Sequence, residues 1–200
     1  MPLTVNKLFE IITAENVFKV KWGTSPHLNI PGVYAVSLSD NPDENLNIIP
    51  TPSFNVHQII EWIKTCPKMQ MDGAKVSNFK LLQERLAQFW FHDENILYIG
   101  KAGTSLRTRV SQYYSTKIGA GSPHSGGQWI KTLSNLNESY VYYCQSEQPA
   151  VDEEKMLHFF MDNISESTKE KLRDPYLPLP FANIRYLGKD KNHRLNNQRL

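Results

Sequence analysis

Apolar and polar positions along the chain recur with periods of about 3.6 and 2, and the switches between them divide it into elements. Thr4 caps a predicted helix through Ala14 with Leu8, Ile11 and Ile12 on one face, and Val17 to Trp22 alternates as a strand. Ser25-Pro26-His27 opens a loop that closes at Pro31. Gly32 to Ser39 is a second strand, with Val33, Ala35 and Leu38 on one face and Tyr34 and Val36 on the other. Asp40 to Pro52 is a loop rich in Pro, Asp and Asn. Ser53 then caps a helix carrying Val56, Ile59, Ile60 and Ile63, Pro67 to Ala74 breaks it, and Ser77 caps another with Phe79, Leu82, Leu86 and Phe89.

From Asn95 the pattern tightens into strand, glycine turn and helix. Asn95 to Gly100 ends in Ile-Leu-Tyr-Ile, Gly100 and Gly103 offer the positive φ of a sharp turn, and Ser105 is an N-cap. Leu106, Val110 and Tyr113 or Tyr114 recur at helical spacing, so the opposite face presents Arg107 or Arg109. Ser115 to Pro123 reads as a mobile Gly/Ser loop, and the pair Gly126-Gly127 predicts a close backbone approach leading into a helix through Leu133. Ser139 to Cys144 is a strand, a helix starts near Ala150, and Ser167 with Glu170 offers a capping box. Leu177 to Asn183 leads into a short strand, and the tail from Gly188, with Lys189, Lys191, Arg194 and Arg199, reads as a mobile segment able to touch nucleic acid.

At 200 residues and 40% hydrophobic content, one domain with a substantial core is expected. The formal charge of +2 hides an asymmetry. Residues 95–137 hold Lys101, Arg107, Arg109, Lys117 and Lys131 and no acid, leaving 17 basic against 20 acidic residues elsewhere. A local positive field on an otherwise acidic chain suits a phosphate-backbone footprint; a solvated basic face is the plainer reading. Cys66 and Cys144 have no partners at zinc-ligand spacing, and no run of ~18 apolar residues appears, so a cytoplasmic protein with reduced thiols and no membrane partner is expected.

The chemistry concentrates between Tyr98 and Tyr114, where a glycine turn entering a helix N-terminus gathers N–H donors beside Lys101 and the arginines. Gly32-Val33-Tyr34 together with Tyr98-Ile99-Gly100 resembles the paired motifs of the GIY-YIG nuclease superfamily. The resemblance places the family's helical arginine at Arg109, which leads into Val110-Ser111-Gln112-Tyr113-Tyr114, and covers about two thirds of the chain. Outside it lie an N-terminal extension, 1–30, and a helical insertion, 40–94, and a basic tail spans 188–200. Tyr34 and Tyr98 stand 64 positions apart, far beyond the family's short hairpin. Long insertions cost little loop-closure entropy.

The fold this implies is an α/β sandwich of GIY-YIG type, a small, mainly antiparallel sheet flanked by helices. The implied activity is metal-dependent hydrolysis of phosphodiester bonds in DNA. The family's glutamate falls among Asp152, Glu153 and Glu154. Glu153 has Met156, Leu157 and Phe160 at i+3, i+4 and i+7, whereas Glu154 has Leu157, His158 and Met161, so Glu153 is favoured as the ligand of Mg²⁺ or Mn²⁺. Arg109 would offset charge on the scissile phosphate, and Tyr34 or Tyr98 would relay a proton from water with metal or Lys101 nearby. His124, in a His-x-Gly-Gly stretch that some restriction-enzyme-like members share, is a candidate phosphate donor or proton-transfer helper, and equally a structural hydrogen-bonding residue. Arg107, Lys117 and Lys131 are candidate DNA contacts, and Asn183 takes the family's late asparagine, 30 positions after Glu153. The insertion helices are expected to elaborate the core, with substrate reading or a dimer interface as the alternative. A nucleic-acid-binding module that kept the fold without turnover is the alternative function.

Overall fold

The computed structural model describes residues 3–121 and 127–196. In chain order it runs α1 (Val5–Glu10), β1 (Phe18–Lys21), β2 (Gly32–Ser37), α2 (Val56–Thr65), β3 (Gln70–Met71), β4 (Ala74–Lys75), α3 (Phe79–Ala87), β5 (Ile96–Ala102) and α4 (Leu106–Ser115). Two 3-10 turns, Gln128–Thr132 and Leu136–Glu138, precede β6 (Tyr140–Gln145), α5 (Pro149–Asn163), α6 (Glu166–Lys169), β7 (Arg185–Tyr186), β8 (Lys189–Asp190) and β9 (Leu195–Asn196). This is a mixed α/β architecture with antiparallel sheets.

The principal sheet has the order β1-β6-β2-β5, every pairing antiparallel. Its central strand β2 is buried at all six positions, because helices cover both faces. On one face Tyr34, Val36, Tyr98, Val141 and Tyr143 pack against α2, α3 and α4 through Ile59, Trp62, Leu82, Leu86, Leu106 and Val110. On the other, Val33, Ala35, Ile99, Tyr142 and Cys144 meet α1 and α5 through Leu8, Phe9, Met156, Leu157 and Phe160. The insertion therefore shares the core that holds the two motif tyrosines, and α1 shares the opposite one. Leu38, expected beside Val33 and Ala35, packs with Tyr34 and Val36, as even-numbered positions of one pleat do.

Several boundaries move for local reasons. The first helix stops at Glu10 because Thr13 takes a φ of 52°, although Thr4 caps it as expected. Asn55 caps α2, Asn78 caps α3 and Ser165 caps α6, in place of Ser53, Ser77 and Ser167. In each case the true cap stands directly before the first helical residue, where its oxygen reaches an orphan N–H. Asp72-Gly73, with φ of 52° and 82°, turns β3 into β4 as a tight hairpin where only a break was expected.

The described part of the tail, to Asn196, is held rather than loose. β9 pairs with β3, and the Lys191 ammonium, 3% exposed, donates to the carbonyls of Leu179, Pro180 and Phe181 beneath the rings of Phe89 and Trp129. Lys191 thus faces the interior and not a nucleic acid, while Arg199 lies outside the described residues. The described part of the loop after α4 is also packed, with Ile118 and Gly119 buried.

Candidate functional site

β2 and β5 run antiparallel with Tyr34 opposite Gly100 and Val36 opposite Tyr98. Tyr34 and Tyr98 are therefore diagonal neighbours on one face of the sheet, with ring centroids 5.8 Å apart, and their hydroxyls hydrogen-bond to each other. Gly100 makes this possible, but not as a turn. It lies inside β5 without a positive φ, and a Cβ there would stand 2.7 Å from Tyr98 Cε1 and 2.8 Å from Tyr34 Cζ. Gly103 faces open space and is not left-handed either, so the expected glycine turn is replaced by a strand running on to Ala102.

A third phenol completes the group. Tyr113 of α4 sits 5.1 Å from the Tyr98 ring and 6.4 Å from that of Tyr34, and donates its hydroxyl to the Gly127 carbonyl at 2.5 Å. Gly127 has a φ of 65°, and a Cβ there would meet the Tyr113 hydroxyl at 2.4 Å, which bears out the predicted close approach. Tyr113 is one helical turn beyond Arg109, a spacing that could have pointed to it from sequence.

The tyrosines are covered. Tyr34 has no exposed surface and Tyr98 is 7% exposed, so their hydroxyls face one another inside the protein and not an open cleft. Burial holds both phenols above their usual pKa range, reinforced at Tyr34 by Tyr98 and Tyr113 and at Tyr98 by the Glu153 charge. The half-exposed Arg109 pulls both the other way, which locates its positive charge beside the pair. Neutral phenols at physiological pH donate and accept hydrogen bonds; the general-base role expected of them with help from Lys101 does not suit these surroundings.

Lys101, at the end of β5, is engaged elsewhere. Its Nζ lies 2.7 Å from Glu153 Oε2 across the gap between β5 and α5. Glu153, with a 19% exposed side chain, is held on the inward side of α5 by the stripe of buried Met156, Leu157 and Phe160, as its spacing predicts. Glu154 is exposed, and Asp152 accepts from the Ser146 hydroxyl at 2.6 Å and faces Lys155 at 3.7 Å. Glu153 is thus the acid of the three that electrostatically reaches Tyr98. No trio of His, Cys, Asp or Glu able to hold a metal exists among the described residues, so a lone carboxylate is the donor on offer. It suits an ion bound mainly through water and phosphate oxygens, such as Mg²⁺, and not a zinc-type cage.

No family model, curated protein or solved structure matches this chain.

The remaining candidates divide. Arg107 is exposed on α4, and Lys117 is exposed just beyond its end. Lys131 is half-buried and donates to the Thr116 and Tyr114 carbonyls at the α4 C-terminus, so part of its charge serves as a helix cap. Asn183 is 6% exposed and clasps the open edge of β5, its Oδ1 accepting from the Ile99 N–H at 2.9 Å and its Nδ2 donating to the Ile99 carbonyl at 2.8 Å. Asn183 thus closes the sheet edge, its amide held in place by the Ile99 backbone. His124 lies outside the described residues. None of the described helices is long and apolar enough to cross a membrane.

Proposed function

We propose that this chain is a metal-dependent endonuclease of GIY-YIG type that hydrolyses phosphodiester bonds in DNA. The observation that carries the reading is that Tyr34, Tyr98 and Arg109 gather on the α4 face of the sheet while the Lys101–Glu153 pair, held by α5 against the other face, still lies near enough for the Glu153 charge to act on Tyr98, four separate elements in all. Arg109 binds the scissile phosphate, and its planar cation offsets charge gathering on the phosphate oxygens as the bond breaks. Glu153 would hold Mg²⁺ or Mn²⁺, which supplies Lewis acidity at the phosphate when bound. Lys101, 45% exposed and paired with Glu153, adds a second positive charge at the end of β5 that would favour an incoming phosphate. Tyr34 and Tyr98, buried neutral phenols hydrogen-bonded to each other, form the packed floor beside which Arg109 is held.

The burial of the tyrosines and the mutual neutralisation of Lys101 and Glu153 favour a second reading, a DNA-binding module without turnover. Supercoiled plasmid incubated with the protein and Mg²⁺ or Mn²⁺ separates the two. The enzyme reading expects nicked or linear product, abolished by chelation and lowered by about 10² to 10³ in Arg109→Ala. Salt-sensitive binding without any product supports the module; absence of both binding and cleavage removes both readings.

A further inference from the structure

Beyond the tyrosine site, the C-terminal end of α4 borders a second feature, a cleft of about 410 Å³. Its walls come from four separate parts of the chain: Trp22 just after β1, Tyr114 and Lys117 at the end of α4, Gln58 of α2, and Lys131 and Asn137 of the 3-10 turns. In a chain with 20 acidic residues, no lining residue among the described ones is Asp or Glu. The size suits one small ligand, and the missing acids admit an anionic one.

The chemistry of the walls narrows the ligand. Trp22 and Tyr114 meet edge to face, ring centroids 4.8 Å apart, and the Tyr114 hydroxyl is anchored to the Thr24 carbonyl at 3.0 Å, which makes a rigid aromatic wall. Gln58 and Asn137 are exposed amides, and among the described residues their side chains have no hydrogen-bond partner. An amide offers a donor and an acceptor together, the pattern that the edge of a nucleobase matches. Lys131 has carbonyls but no carboxylate beside it among the described residues, and burial pulls its pKa down to about 8, so this cation lacks a counter-charge. Lys117 stands at the exposed rim, and the acid whose titration feels it, Glu61, is already paired with Lys64 at 2.8 Å. Aromatic surface, base-matching amides and two cations are the requirements of a nucleotide.

Position links the cleft to the proposed chemistry. Ser115 lies six positions beyond Arg109 on α4, ~9 Å along the axis. That is two to three nucleotide steps at ~3.4 Å each.

We propose that this cleft receives one unstacked nucleobase and its phosphate from the DNA near the cleaved bond, with the insertion helix α2 contributing the base-reading Gln58. This rests on the DNA reading above. The aromatic wall stacks on the base, Gln58 and Asn137 read its edge, and Lys117 and Lys131 hold the phosphate.

The test uses the whole chain, without divalent metal, so that catalysis does not enter. Each of the four deoxynucleoside 5′-monophosphates is titrated while the amide NMR signals of the Gln58 and Asn137 side chains and the Trp22 indole N–H are followed, with deoxyribose 5-phosphate as the base-free control. The proposal expects all three signals to shift and at least one nucleotide to bind more tightly than the control. Gln58→Ala/Asn137→Ala, changed at exposed positions, should erase that preference, and Lys117→Ala should weaken nucleotide and control alike, each about tenfold or more. Equal affinity for nucleotide and control, or an unchanged preference in the double variant with its melting temperature retained, overturns the cleft assignment. The two readings fail separately. Nucleotide binding without plasmid binding or cleavage removes the DNA function and leaves a nucleotide site, whereas plasmid cleavage without nucleotide preference removes only the cleft.

Discussion

Replacing Gly100 by Ala tests whether the two tyrosines depend on a strand residue with no side chain. The added Cβ would lie 2.7 Å from Tyr98 Cε1, 2.8 Å from Tyr34 Cζ and 2.9 Å from the Tyr34 hydroxyl, all part of rings with little or no exposed surface. Ordinary contact begins near 3.4 Å, so both rings must move by more than half an ångström. They move into packing that includes Tyr113 at 5.1 Å and 6.4 Å between centroids. Overpacking of this kind costs roughly 1–3 kcal/mol. Against it, Ala loses less backbone freedom on folding than Gly, worth about 0.5–1 kcal/mol. Subtracting the second from the first leaves a destabilisation of about 0–2.5 kcal/mol, centred on ~1 kcal/mol, which at that centre is a fall in melting temperature of roughly 2–4 °C for a chain of this size. Gly103→Ala is the control, since nothing lies within 4 Å of its Cβ and its φ is not left-handed; it should be neutral or slightly stabilising. Thermal melts of the two variants followed by circular dichroism decide it. Equal melting temperatures would falsify the account of Gly100, and the displaced hydroxyls of a destabilised Gly100→Ala should also lower plasmid cleavage.

Glu153→Gln should keep DNA affinity and lose cleavage by at least about 10² to 10³, while Glu154→Gln, exposed and unpaired with Lys101, changes neither; retained cleavage in the first variant would remove the proposed metal ligand. The stability cost of Glu153→Gln should stay below about 1 kcal/mol, because Lys101 is close to half exposed. Glu94 is buried and accepts from the Leu3 N–H, and desolvation raises its pKa to about 8 from 4.5. The folded state therefore holds a proton that the unfolded state gives up, and stability falls as pH rises from about 4.5 through 8. Urea unfolding of Glu94→Gln at pH 5 and 8 should show that fall flattened, by a few kcal/mol at most; an identical pH slope in both proteins would contradict it. Asn183→Ala strands both polar groups of Ile99 in a buried edge and should cost about 2–4 kcal/mol with DNA affinity unchanged. Lost DNA affinity in a variant of undiminished stability would return Asn183 to the DNA contacts. Neutralising Lys117 should reduce the slope of log affinity against log salt by about one, and an unchanged slope would turn the basic segment away from DNA.

Local pattern determined much of this protein. Period-2 and period-3.6 runs were enough to mark β1, β2, β5, β6 and the helices α2 to α5, because burial on one stripe leaves its trace in adjacent residues. The same logic separated Glu153 from Glu154, since the choice depends only on which residues follow at i+3, i+4 and i+7. Sequence alone does not choose a cap where two polar residues compete, because geometry selects the one adjacent to the first turn, as Asn55 over Ser53 and Asn78 over Ser77. Partners distant in sequence were set by tertiary structure alone. Asn183 stands in sequence only as the late asparagine of a resemblance until β5 is seen to leave Ile99 unpaired at the sheet edge, 84 positions away. Lys191 reads as part of a basic tail until three carbonyls and two aromatic rings surround it. Gly100 reads as a turn until the register places it opposite Tyr34, with two rings occupying the space its side chain would need. The cleft at the end of α4 is likewise absent from any single stretch: Trp22, Gln58, Lys117 and Asn137 meet only because an insertion folds back onto the sheet it interrupts. A one-dimensional pattern records which side of an element is buried, and what covers that side is settled by chain closure over tens of residues.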